Sequence, residues 1–251
     1  MTAPLAGRTV LVTRPVHQAE AQAQAIRAAG GEALVFPALT IESVPTAELV
    51  GPLARLAEAD IAIFISPNAA QFGMAATGVL PADCVVFAVG SGTARVLQSH
   101  GVAAITPDGQ DSEALLALPA LRQVAGKRVV IVRGVGGRPL LADTLRARGA
   151  TVHFLECYRR GRPVADAAPL LARWRAGGID AVTIASAETL ANLAALLGEA
   201  GRSLLAATPL FVPHEKIAEA ARRFGMTQVV ATAGGDAGLV EGLIDWFRKP
   251  A

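Results

Sequence analysis

The sequence predicts an α/β protein made of two doubly wound, parallel-sheet domains of flavodoxin type. Three observations predict it. Apolar, β-branched runs alternate with amphipathic stretches along the chain, those runs are hydrophobic without alternation, and the whole pattern occurs twice. A strand that is apolar on both faces must be covered on both, which calls for helices on either side of a parallel sheet. Ligands of such sheets sit beyond the carboxyl ends of the strands.

The duplication is gapless over its best stretches. "GRTVLVTRP" from Gly7 aligns with "GKRVVIVRG" from Gly126, so Arg14 matches Arg133, and further along Gly30 matches Gly149. "DIAIFISPNAAQF" from Asp60 aligns with "DAVTIASAETLAN" from Asp180, and Ser66 matches Ser186. "VGSGTARVLQSHGV" corresponds, with a small shift, to "VPHEKIAEAARRFGM". Taken alone, the repeat places a domain cut near residue 126.

Within the first copy, strands are expected at 8–13, 32–36, 61–65, 84–89 and 103–106. The second copy repeats them at 128–133, 151–155, 181–185, 209–212 and 228–231. Helices follow most of them, with the apolar spacing of "AEAQAQAIRAAG" or "PLLADTLRARG". Asp60 and Asp180 precede strands, at the edge away from any ligand, which points to a structural role.

Composition narrows the function classes. The chain has 251 residues, 52% hydrophobic and 18% charged, enough for two modest domains. Apolar runs such as "VVIV" and "IAIFI" fall far short of the ~18 residues of a membrane span. The N-terminus lacks a charged segment followed by a long apolar core, so no signal peptide is expected. Cys84 and Cys157 match no zinc or redox spacing, and the expected compartment is the cytoplasm. A net charge of +2 with 4% aromatics argues against nucleic acid. A small anionic ligand remains open, because backbone amides bind anions without adding charge.

The strand-to-helix junctions carry the chemistry. They read "TRPVH", "SPNAA", "VGSGTA", "RGVGGRP", "SAETL", "VPHEK" and "ATAGGDAG". Ser66 and Ser186 are candidate N-caps, with Pro67 and Pro139 at candidate first helical positions. Each junction alone is explained by caps and turns. Together, helix N-termini along one sheet edge form a field of N–H donors suited to a ligand with several carboxylates or phosphates. The candidate ligand contacts are Arg14, Ser66, Pro67, Asn68, Gly90, Ser91, Arg133, Gly134, Gly136, Gly137, Arg138, Ser186, Ala187, Glu188, Thr189 and His214. Arg14, Arg133 and Arg138 are candidates for pairing with carboxylates, and the first two could equally neutralise sheet ends.

Nucleotide chemistry is not indicated. "RGVGGR" lacks the Lys-Ser/Thr of a P-loop, and in "VGSGTA" Arg95 holds the third glycine position. His17, His100, His153 and His214 share no metal-ligand spacing, and no nucleophile elbow or Cys–His pairing is legible. An enzyme with this sequence works mainly by positioning.

The segments "VLVTRP", "FISPNAAQF", "FAVGSGTARVLQSHG" and "VVIVRGVGGRPLLADTLRARGATVHFLECYRR" together resemble the uroporphyrinogen-III synthase family, from about Arg8 to the final helix. The resemblance implies an enzyme without cofactor or metal, acting on hydroxymethylbilane in tetrapyrrole (haem, sirohaem or cobalamin) biosynthesis. Loss of the ring-A hydroxyl gives an azafulvene, ring D attacks through its substituted carbon to form a spiro intermediate, and recombination closes the ring as uroporphyrinogen III. It also implies a discontinuous domain of residues 1–36 plus 164–251, an inserted domain of 42–157, a two-strand linker in which "PALTI" (37–41) and "YRRGRP" (158–163) cross as strands, and a cleft between the domains. Tyr158, the only tyrosine, matches the family's tyrosine at the start of the return linker. A phenol ionises near pH ~10, so at neutral pH it can donate a hydrogen bond to the departing hydroxyl. A monomer, and a transient contact with the preceding pathway enzyme, complete these expectations. Two rivals are a non-catalytic binding protein for an anionic metabolite and a nucleotide-sugar transferase of two Rossmann-like domains.

Overall fold

The computed structural model describes residues 3–109 and 111–248. The elements, numbered along the chain, begin with β1 (Thr9–Val12), α1 (Val16–Ala28), β2 (Glu32–Val35), β3 (Thr40–Ser43), α2 (Thr46–Ala57), β4 (Ile61–Phe64) and α3 (Pro67–Thr77). The middle holds β5 (Val85–Ala88), α4 (Ser91–Ser99), α5 (Ser112–Ala117), α6 (Pro119–Arg122), β6 (Arg128–Gly134), α7 (Leu140–Ala147) and β7 (Thr151–Gly161). The rest is α8 (Ala168–Arg175), β8 (Ala181–Thr183), α9 (Ala187–Ala207), β9 (Leu210–Val212), α10 (Glu215–Arg223), β10 (Val229–Ala231) and α11 (Gly235–Arg248).

Two compact units emerge. The first runs to Thr40 and resumes at Gly161; the second is Ile41–Arg160. The first contains a sheet in the order β2-β1-β8-β9-β10, all parallel. Counted within the unit this is the flavodoxin order 2-1-3-4-5, with its switch point between β1 and β8. The second contains a sheet in the order β3-β7-β6-β4-β5, parallel from β7 to β5.

The two units combine the repeats crosswise. Strands β1 and β2 of the first copy pair with β8–β10 of the second, and β6 and β7 of the second copy pair with β4 and β5 of the first. Counted in repeat order, β7-β6-β4-β5 is again 2-1-3-4. A cut near residue 126 would therefore fall inside the second unit, just ahead of its central strand.

The matched aspartates fasten each cross-pairing at the N-terminal edge. Asp180 Oδ2 accepts the Thr9 backbone N–H at 2.8 Å, and Asp60 Oδ2 accepts the Arg128 backbone N–H at 2.7 Å. In return the Asp180 and Asp60 backbone N–H groups donate to the Thr9 and Arg128 carbonyls, each at 2.9 Å. Thr9 and Arg128 are equivalent in the repeat, so one two-way clamp is used twice. The structural reading of these acids is the correct one.

Each sheet is covered on both faces, as continuous apolar strands require. In the first unit, Leu11, Val182 and Val212 pack with Leu190, Leu193 and Trp174, while Val10, Val12 and Phe211 pack with Ile26 and Leu243 on the other side. In the second, Phe64, Val130 and Val132 face Ala69, Ala70 and Met74, whereas Ile63, Val129 and Ile131 face Leu115, Leu141 and Leu145. Burying one such Leu, Val or Phe contributes about 1.5–3 kcal/mol.

Two local expectations are corrected. Residues 103–106 form no strand; Ile105 makes a single parallel bridge to Phe87. Pro139 stands at the N-cap of α7 rather than at its first helical position. Strand β7 continues through "YRRG" to Gly161, the segment for which the family resemblance implies a crossing strand.

Candidate active site

In the second unit the switch point lies between the carboxyl ends of β4 and β6, which pair Phe64 with Val132. Just past β4, Ser66 is extended (φ −164°, ψ 161°) and its side chain accepts the Ala69 N–H at 3.0 Å. Pro67 follows at a position whose N–H would have no helical partner. Helix α3 thus starts where serine and proline predict, with Asn68 in its first turn. The same Ser66 Oγ lies 3.3 Å from Tyr158 Oη.

Tyr158 reaches that point through a β-bulge. The β6–β7 register pairs Arg133 with Glu156 and then Gly134 with Tyr158, leaving Cys157 as the extra residue. A bulge rotates the residue after it onto the other face, and Tyr158 joins Leu155 and Cys157 against α3. Its ring centroid is 5.6 Å from that of Phe72, and the residue is 5% exposed. Its carbonyl accepts the Val135 N–H at 2.9 Å, fixing the backbone to the loop after β6. Burial pushes the Cys157 thiol up to about 12, and its Sγ donates to the Arg133 carbonyl at 3.5 Å, so it is inert packing.

The glycine loop departs from its expected role as a carboxylate cradle. Gly136 and Gly137 have φ of +79° and +110°, which only glycine adopts freely. The Gly136 N–H donates to Glu156 Oε1 at 3.1 Å, so an internal carboxylate already occupies that amide. A side chain on Gly137 would collide with the Arg133 guanidinium, so the loop lies directly on it. Arg133 is 5% exposed, donates from Nε to the Gly134 carbonyl at 3.2 Å and stands 4.9 Å from the Phe154 ring centroid.

Arg133 lines a cavity of about 230 Å³ with Ile131, Leu141, Phe154, Ser112 and Arg138. Ile131 and Leu141 belong to the core opposite Tyr158, so the sheet separates Arg133 from the tyrosine. Arg138 is exposed and 3.8 Å from Glu113. Gly90 caps α4 in an extended conformation, with Ser91 exposed behind it.

In the first unit the switch point carries Arg14, which pairs with Asp236 in the first turn of α11. Arg14 Nε is buried without a hydrogen-bond partner among the described residues. Ser186 caps α9 as Ser66 caps α3, accepting the Thr189 N–H at 3.1 Å, and its Oγ lies 2.9 Å from Thr189 Oγ1. Ala187 and Glu188 open α9. His214 is the N-cap residue of α10 without a side-chain cap, its ring against Gly234. The repeat puts Leu39 where the second copy has Tyr158, so the hydroxyl is found in one unit only.

The structure thus brings Ser66, Gly134 and Tyr158 together and sets Arg133 on the other face. Three contributors went unseen in the sequence: Glu156, Asp236 and the bulge at Cys157. Asp236 left a faint signal, since it stands within the glycine-rich junction "ATAGGDAG", whereas Glu156 lies mid-strand and left none. Among the described residues no three side chains converge as metal ligands.

A family model described as uroporphyrinogen-III synthase HemD matches residues 20–241. A uroporphyrinogen-III synthase of Salmonella typhimurium is 36% identical over 238 residues, covering 91% of this chain and 96% of its own. One of Escherichia coli K12 is 35% identical over the same length and coverage. Among solved structures, a mutant uroporphyrinogen III synthase of Thermus thermophilus superposes with a TM-score of 0.66 at 21% identity, covering 97% of this chain and all of that one. A Helicobacter pylori uroporphyrinogen-III synthetase gives 0.61 at 14%, covering 95% and 99%, and both share the two-sheet α/β fold. The chain belongs to the uroporphyrinogen-III synthase family.

Proposed function

We propose that this chain closes hydroxymethylbilane to uroporphyrinogen III as a cyclising lyase of tetrapyrrole biosynthesis, with Tyr158 as its catalytic residue. Family membership carries the reaction, and the placement of the Tyr158 hydroxyl at a sheet switch point, beside a helix N-terminus, supports the role.

The chemistry follows from what a positioned phenol can do. The ring-A C–OH bond breaks as the pyrrole nitrogen lone pair forms the azafulvene. The departing oxygen takes a hydrogen bond, and then the proton, from Tyr158 Oη and leaves as water. Ring D attacks through its substituted carbon, and the spiro intermediate fragments and recombines with the ring inverted. The carbon that forms the last bond sheds a proton, which restores the phenol. The protein's larger task is to hold the flexible bilane in the geometry that inverts ring D, an entropic contribution.

Ser66, Pro67, Asn68, Gly90 and Ser91 on one unit, and Ser186, Ala187, Glu188 and Thr189 on the other, supply helix starts for the carboxylates. Arg14, Arg138 and His214 add side-chain donors. Arg133 is assigned to the wall of the neighbouring cavity, Gly134 to the seat of the Tyr158 ring, and Gly136 and Gly137 to the loop that lies over Arg133. The cytoplasm is the proposed compartment. Two free cysteines and the lack, among the described residues, of any helix long and apolar enough to cross a membrane fit that reading.

The test is to incubate the protein with freshly generated hydroxymethylbilane, oxidise, and resolve the porphyrin isomers. Isomer III is expected; isomer I alone, at the rate of the bilane by itself, would overturn the assignment.

A further inference from the structure

We propose that Ser66 is a positioning residue that orients the Tyr158 hydroxyl by donating to it, leaving the phenolic proton for the substrate. The proposal rests on the reading of Tyr158 as the catalytic donor. A serine hydroxyl has one proton and two acceptor lone pairs. Ser66 Oγ already accepts the Ala69 N–H at 3.0 Å, and its other contact among the described residues is Tyr158 Oη at 3.3 Å. Tyr158 Oη is therefore the acceptor within reach of the Ser66 proton. In the reverse arrangement the tyrosine would spend its proton on Ser66, and the serine proton would be left without an acceptor among the described residues at a part-buried position.

Electrostatics favours the same direction. Ser66 caps an eleven-residue helix, and the positive end of α3 draws electron density toward Oγ. That makes the Ser66 O–H a stronger donor and steadies negative charge on the phenolic oxygen when its proton moves to the leaving hydroxyl. The backbone supports the pairing from both sides. Gly134 admits the ring, since a Cβ there would stand 2.5 Å from Tyr158 Cε2, and the bulge at Cys157 turns the ring toward α3. Ser186 repeats the cap in the other unit, but there Thr189 takes the place of the phenol as the second contact. The serine serves both helices as a cap, and only Ser66 has a tyrosine to orient.

Capping and orienting are separable by substitution. Aspartate caps as well as serine and glycine nearly as well, yet a carboxylate can only accept and glycine offers nothing. Threonine keeps both functions. We expect Ser66→Asp and Ser66→Gly to retain near wild-type thermal midpoints while kcat for isomer III falls roughly tenfold or more; KM should change little in Ser66→Gly and rise in Ser66→Asp, whose carboxylate repels those of the substrate. Ser66→Thr should restore kcat. In a Tyr158→Phe background, Ser66→Asp should have no further effect on kcat. Wild-type kcat in both Ser66→Asp and Ser66→Gly, or a full additive loss in the Tyr158→Phe background, would overturn the proposal. If either variant loses its fold, the other decides. A Tyr158→Phe enzyme with undiminished turnover would instead remove the tyrosine from the mechanism, and absence of isomer III from the wild type would remove the synthase reading itself.

Discussion

Gly134 lies beneath the ring of Tyr158 so closely that an added Cβ would meet ring carbons at 2.5 and 2.6 Å. The ring also packs against Phe72, their centroids 5.6 Å apart. An alanine at 134 therefore displaces the phenol, and a displaced phenol misses its partner.

Tyr158→Phe and Gly134→Ala should both lower isomer III formation, by on the order of 10²-fold for Tyr158→Phe, the lower end for a positioned acid, because the bilane sheds its hydroxyl readily even without an acid. The ratio of isomer III to isomer I in timed, oxidised samples measures the loss. The double variant should be no worse than Tyr158→Phe alone, because both substitutions remove one donor. Independent, multiplying losses would separate Gly134 from the tyrosine.

Arg14 should act in binding. Its guanidinium is anchored by Asp236, with Nε buried and unpartnered among the described residues. Losing one charge-assisted hydrogen bond of about 1.5 kcal/mol predicts a roughly tenfold rise in KM for Arg14→Gln, with kcat close to wild type. A fall in kcat at constant KM would assign Arg14 to the chemical step instead.

Acid sensitivity should trace to the sheet edges. The Arg128 backbone N–H holds the Asp60 carboxyl below the usual range, and the Arg173 guanidinium does the same for Glu32. A carboxyl with a depressed folded pKa stabilises the fold above its unfolded value of about 4, and that support fades as pH falls through the folded value. Asp60→Asn and Glu32→Gln should melt below wild type at pH 7 and converge with it in acid. Both groups face solvent, so the differences are small. Equal offsets at both pH values would count against the linkage.

Chain cutting should respect the crosswise pairing rather than the repeat. Residues 41–160 contain a complete sheet and should fold alone, with a cooperative thermal transition by circular dichroism. The repeat-length halves 1–125 and 126–251 should each fail alone and recover structure when mixed. A cooperatively folded 1–125 fragment would contradict the pairing.

Much of this architecture was legible in the chain. Buried strands such as "VLV", "IAIF" and "VVIV" announced themselves because both faces are covered. Strand β3 did not, since its four residues are half-buried or exposed and carry no apolar run. Helices α5 and α6 are too short to show a period. At the site, Ser66 and Pro67 signalled a helix start, and the lone tyrosine drew notice through the family resemblance. Their contact spans 92 positions and depends on a one-residue bulge, which no local pattern encodes. The glycine loop misled because positive-φ glycines look alike whether they hold a ligand or, as here, the protein's own Glu156.

Crosswise pairing also sets a timetable for synthesis. Strands β1 and β2 leave the ribosome before the other strands described, yet β8, the neighbour of β1, is made only after the whole second unit. At about 5–20 residues per second, the opening βαβ waits roughly 7–30 s for β8, the next strand of its sheet. The inserted unit can be finished before then. Strands β1 and β2 are thus made early and paired late, which leaves their apolar side chains uncovered during translation.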